Sequence, residues 1–90
     1  MKKAVITVTG KDSVGIIAEV SAVCAAHSAN ITEITQSVLS EYFAMIMLIE
    51  IDKLNVAFAD FADELAAKGR AHGLDIRAMH EDIFNTMHHV

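Results

Sequence analysis

Thr9-Gly10-Lys11-Asp12-Ser13-Val14-Gly15-Ile16-Ile17 joins two kinds of periodicity. Before it, residues 4–9 are short and β-branched, the pattern of a strand. After it, Ile16, Val20, Val23, Cys24 and His27 recur at helical spacing and make one face of a helix. Gly10 breaks the strand, and Asp12 or Ser13 is the expected helix cap. Ala18, Ala22, Ala25 and Ala26 add helix propensity and allow close packing.

The same reading extends outward along the chain. Ser28-Ala29-Asn30 ends the helix, and residues 31–39 alternate as a second strand. A hairpin turn is expected at Ser40-Glu41-Tyr42. Residues 43–51 form a third strand, apolar on both faces except at Glu50, which predicts a central position. A connection with Asn55 or a neighbour as cap leads to a second helix, residues 56–72. Its packed face is Phe58, Phe61, Ala62, Leu65 and Gly69. Gly73 stops it in a left-handed conformation, and residues 74–80 alternate as a fourth strand. The tail, 81–90, carries Ile83, Phe84, Met87 and Val90 at helical spacing, with Asp82 as the expected cap. So short a helix needs a surface to pack on, this domain or a partner.

The order is βαββαβ plus a helical tail. The fold class is therefore α+β: a ferredoxin-like sandwich, with an antiparallel four-stranded sheet and two helices on one face. The expected organisation is one domain over residues 1–80 and a tail over 81–90.

Composition narrows the function. Of the 90 residues 53% are apolar and only 6% aromatic, so the core must be aliphatic. That apolar share exceeds what one small core hides, which predicts a second buried face and hence a homodimer. The net charge of −5 argues against nucleic acid and anionic membrane as partners. No apolar stretch approaches the ~20 residues that span a bilayer. A single cysteine, Cys24, forbids an internal disulfide, and no secretory signal is visible, so a cytoplasmic location is expected.

Four groups of residues are candidates for chemistry. The loop at residues 10–16 is the first. Backbone N–H groups at a helix start lack intrahelical partners and can receive an anion such as an α-carboxylate. Gly15 lets a ligand approach the backbone. By spacing alone a plain turn is the stronger reading, in which Gly10 turns, Asp12 caps and Gly15 lets the first helical turn pack. The second group is the five histidines, with His80, Glu81, Asp82, His88 and His89 close in sequence. Adjacent histidines point apart on a helix, so no metal site is expected. His27 reads as a boundary histidine with a hydrogen-bond partner. The third, Cys24, lies on the packed stripe and is expected to be buried and inert. The fourth, Ser13, has no nucleophile-elbow context, and no carboxylate pair stands out, so no catalytic residue and no cofactor are expected. A copper carrier would need a Cys-x-x-Cys, and an acylphosphatase an arginine, in the first loop; neither is there.

The loop, followed by Ser28-Ala29-Asn30-Ile31, resembles the ACT domain pattern, in which an Asp or Asn and a Gly flank the first helix start and Asn-Ile opens the second strand. The resemblance covers residues 3–80. Glu81-Asp82-Ile83-Phe84-Asn85-Thr86-Met87-His88 is similar to the tail of the small stand-alone ACT proteins, which resemble each half of the glycine cleavage repressors. Ala29 departs from the family, which often has Gly there. The resemblance implies a regulatory protein rather than an enzyme. It implies side-by-side association and an amino acid or similar small metabolite bound at the subunit interface. The implied ligand-binding positions are Asp12, Ser13, Val14, Gly15 and Ile16 on one side and Asn30 and Ile31 on the other. Backbone amides near Gly15 and Ile16 would hold a carboxylate, Asp12 would accept from an ammonium group, and the Asn30 amide could bond to either. A ligand-free adaptor that only dimerises or docks on a protein target is the alternative.

Overall fold

A computed structural model describes residues 1–11 and 15–87. The elements follow the expected order: β1 (Lys3–Lys11), α1 (Ile16–Ala26), β2 (Asn30–Leu39), β3 (Tyr42–Glu50), α2 (Phe58–Ala71), β4 (Asp75–His80) and α3 (Glu81–Met87). The four strands form one antiparallel sheet in the order β2-β3-β1-β4. β3 is interior, as its apolar run on both faces required.

Alternation along the strands sorts the two faces. Ala4, Ile6 and Val8 of β1, with Phe43, Met45, Met47 and Ile49 of β3, point toward α1 and α2. They meet Ile16, Val20, Val23 and Cys24 of α1 and Phe61 and Leu65 of α2 in one aliphatic core. Gly69 is buried because α2 comes very close to β4 there. A Cβ on it would lie 2.7 Å from the Leu74 carbonyl oxygen and 2.8 Å from Ile76 Cγ1.

The opposite sheet face is unequally covered. Val5 points there, outside the main core, yet is only 3% exposed. α3 packs against β1 and β4 and closes this half. Over β2 and β3 the face stays open, with Tyr42 and Ile46 exposed. β2 is an edge strand exposed over nearly its whole length, including Ile34, Val38 and Leu39. A bulge between Ile31 and Glu33 changes its alternation, so that Ile31, Ile34 and Val38 share the helix side.

The caps differ from the sequence expectation. The N-cap of α1 is Gly15, in the left-handed region at φ 85°, rather than Asp12 or Ser13. The N-cap of α2 is Ala57, with no side-chain cap, because Asn55 is engaged elsewhere. α3 begins at Glu81, which places Asp82 inside its first turn instead of capping it. Gly73 does adopt φ 70° after α2.

Candidate functional site

The candidate loop lies at one end of the sheet. Gly10 pairs with Phe43 and Lys11 with Tyr42 at the top of β1, and Lys11 Nζ stands 3.8 Å from Glu41 Oε2. The first α1 hydrogen bond runs from the Glu19 N–H to the Gly15 carbonyl at 3.1 Å, so the N–H groups of the preceding helical residues have no partner within the helix. Among the described residues, none comes within 4 Å of where a Gly15 Cβ would stand. Its left-handed φ of 85° is a conformation that calls for a glycine. Ile16 is 2% exposed and sits in the core, so its backbone, not its side chain, is what a ligand could meet. Asp12, Ser13 and Val14 lie outside the described residues.

Asn30 and Ile31 lie at the other end. Asn30 pairs with Glu50, which on its other side pairs with Lys3. The register from Lys3 to Gly10 separates the two ends by roughly 23 Å at about 3.3 Å per residue. A single chain thus keeps Asn30 far from the loop. The Asn30 amide donates from Nδ2 to Glu50 Oε1 at 3.0 Å, which leaves its Oδ1 as an acceptor. Beside it is a cavity of about 410 Å³ lined by Ser28, Asn30, Glu50, Asp52, Lys53 and Met1. Asp52 Oδ1 accepts the Lys2 N–H at 3.0 Å. Ile31 is half-buried against the core. Glu50 and Lys53 were not sequence candidates. Glu50 had a signal, as the one charge in an otherwise apolar strand.

A third group lies where α1 ends. His27 Nε2 is 2.7 Å from Glu64 Oε1, and His27 Nδ1 is 3.0 Å from Asn55 Oδ1. Asn55 Nδ2 donates to the Ala26 carbonyl at 3.1 Å, which fixes the amide so that its oxygen faces the histidine. Phe61 meets the ring edge-on at 6.0 Å. The bond to Glu64 and then that to Asn55 raise the His27 pKa above its ordinary value; burial lowers it by less than either bond raises it, and the Glu64 charge adds the smallest lift. His27 is the hydrogen-bonded boundary residue expected. His72 at the end of α2 contacts Glu19 of α1 through Nε2 and Oε2.

Two other candidates, Cys24 and the histidine group, have these surroundings. Burial pushes the Cys24 thiol up to about 11, so it is a protonated core residue and no nucleophile. His80 stacks on Phe58 at 4.2 Å. His88 and His89 lie outside the described residues, and among the described residues no three His, Cys, Asp or Glu side chains are grouped to hold a metal ion.

Comparison with known proteins decides the family. The ACT domain model matches residues 2–79. The chain belongs to the ACT domain family. A small UPF0237 protein of Methanopyrus kandleri is 42% identical over 90 residues, all of both chains. An ACT domain protein from Streptococcus pneumoniae superposes with a TM-score of 0.79 at 38% identity, over 92% of this chain and 93% of that one. A formyltetrahydrofolate deformylase from Pseudomonas syringae pv. tomato also superposes at 0.79, with 27% identity, over 89% of this chain but 28% of that one. ACT domains are generally regulatory and bind small ligands, amino acids among them. The ACT fold here presents a bare edge strand at β2 and, at the far end of the sheet from the loop, a cavity lined by Asn30, Glu50, Asp52 and Lys53 among others. Among the described residues no helix is long and apolar enough to cross a membrane.

Proposed function

We propose that this chain is a non-catalytic regulatory ACT module that binds an amino acid or similar small metabolite between two copies of itself, in the cytoplasm. The observation that carries the reading is the bare β2 edge. It runs the length of the sheet, from the level of Asn30 to the level of the loop. Two copies joined antiparallel along β2 would bring Asn30 of one toward the loop end of the other. That supplies what one chain lacks, since its own two candidate groups sit at opposite ends. An exposed apolar edge also calls for a partner on physical grounds.

The chemistry of the two ends is complementary. Backbone N–H groups around Gly15 and Ile16 suit a carboxylate. Asn30 Oδ1 and the Glu50 carboxylate are both acceptors and suit an ammonium group. This narrows the role of Asn30 to the ligand's ammonium end. Asp12, Ser13, Val14 and Ile31 complete the proposed site. Ligand binding would act by favouring one assembly or partner affinity over another.

A thermal-shift screen against the amino acids tests the reading. A site filled at 100 times its Kd adds about 2.7 kcal/mol of stability. No shift with any amino acid at millimolar concentration would count against it. The open sheet half bearing Tyr42 and Ile46 favours the second reading, an adaptor that docks on a protein without small ligand. Co-purification of one stoichiometric partner, with no thermal shift, would select it.

A further inference from the structure

The His27 cluster adjoins the two walls of the Asn30 cavity along the chain. One wall, Ser28 and Asn30, follows His27 directly in the chain. Ser28 holds a left-handed φ of 60°, its N–H reaches the Ala25 carbonyl at 3.3 Å, and the Ala29 N–H reaches the Cys24 carbonyl at 2.9 Å. Ala29 is buried in the core. This connection has little slack, so a movement of the last turn of α1 carries Asn30 with it. The other wall, Asp52 and Lys53, is in the short connection that Asn55 closes. The Asn55 N–H also donates to the His27 carbonyl at 3.2 Å. His27 and Asn55 thus join the two walls, and Glu64 ties both to α2.

Hydrogen-bond accounting fixes the protonation state of this junction. Asn55 cannot turn its amide without losing the bond from Nδ2 to the Ala26 carbonyl, so Oδ1 faces Nδ1 of the ring. A carboxylate faces Nε2. Two acceptors at the two ring nitrogens are satisfied only by an imidazolium, which donates from both. A neutral ring keeps one N–H, and its other nitrogen then turns a lone pair toward an acceptor. The groups facing the ring are Glu64 and the Phe61 edge from α2 and the neutral Asn55 amide from the connection. Lys68 of α2 and Glu19 of α1 line the same groove as Glu64. The end of α1 contributes carbonyl groups, whose partial negative charge also favours a cation.

We infer that His27 is a proton-dependent latch beside the Asn30 cavity: as an imidazolium its ring adds bonds to Asn55 and Glu64 to the backbone ties between the cavity's two walls, and it loses one of those bonds when the proton leaves. The regulatory sense of this latch rests on Asn30 being a ligand-facing residue; the latch itself does not. Because the folded-state value of His27 lies above the ordinary 6.5, the latch is closed below that pH and opens as pH rises through the raised value.

Nuclear magnetic resonance on the ligand-free full chain tests this between about pH 5.5 and about pH 9.5, a window centred on histidine titration. The His27 ring signal is expected to titrate above 6.5. The Asn30 side-chain amide and the Ser28 and Lys53 backbone amides are expected to move with the same midpoint. His27→Gln should flatten all three. Glu64→Gln, which keeps the shape of the side chain, should bring the midpoint down toward 6.5 and guards against a folding defect in the first variant. A His27 midpoint at or below 6.5 would overturn the latch. So would Asn30 and Lys53 signals that stay flat through the His27 titration, or that still titrate in His27→Gln. No added ligand enters the experiment, so failure of amino acid binding and failure of the latch are separate results.

Discussion

Gly15 and Gly69 are both glycines for physical reasons, and the reasons differ. At Gly15 the backbone is left-handed and no described residue crowds the place of a Cβ. Gly15→Ala should cost about 1 kcal/mol in urea denaturation, the cost of a left-handed conformation for an L-residue. At Gly69 the backbone is ordinary helix and the space is full. Gly69→Ala should cost about 2 kcal/mol or more, because crowding against the Leu74 carbonyl outweighs the helix propensity gained. Cys24 should resist a thiol reagent in the native protein and react only on unfolding, since burial raises its pKa to about 11. His27 adds a pH dependence with a definite sign. Its folded pKa is raised, so its contribution to stability is full below 6.5 and is lost as pH rises through the folded value. The Tm of the native chain should therefore fall from about pH 6 to about pH 9 by more than that of His27→Gln, measured by calorimetry.

Elements were legible in the sequence where burial imposed a period. α1 could be read from Ile16, Val20, Val23 and Cys24, and all four are buried. β3 could be read as central because both of its faces are apolar. β2 was legible as a strand, but its faces were not. The bulge after Ile31 shifts the alternation, and an exposed edge strand imposes little pattern of its own. The caps were misplaced because Asp12, Ser13 and Asn55 are capping types, whereas the observed N-caps are Gly15 and Ala57. Asn55 was diverted by tertiary contacts with His27 and Ala26, which no local pattern records. Of the candidate site, the loop and Asn30 could be singled out through the family resemblance. Their separation along the sheet became visible only from strand register, and so did the Glu50 contact. The tail makes an element-scale test possible. Removing residues 81–90 uncovers Val5, and the loss should be roughly 2 kcal/mol in denaturant unfolding, the scale of one buried aliphatic side chain.

At the scale of the whole molecule, the sheet is finished on the helix side and unfinished along β2 and over half of its other face. A second copy along β2 would cover the edge and assemble the proposed site at once. Ile34 stands near the middle of that edge, so Ile34→Lys would set two like charges near the two-fold axis of such a dimer. The variant should remain folded, because Ile34 is outside the core, and should be monomeric by light scattering where the native chain is dimeric. The most direct measurement is the same amino acid thermal-shift screen run on the native chain and on Ile34→Lys. The expected result is that at least one amino acid raises the Tm of the native dimer and leaves the variant unmoved. No shift in the native chain, or an equal shift in a monomeric variant, would contradict a site shared between two copies.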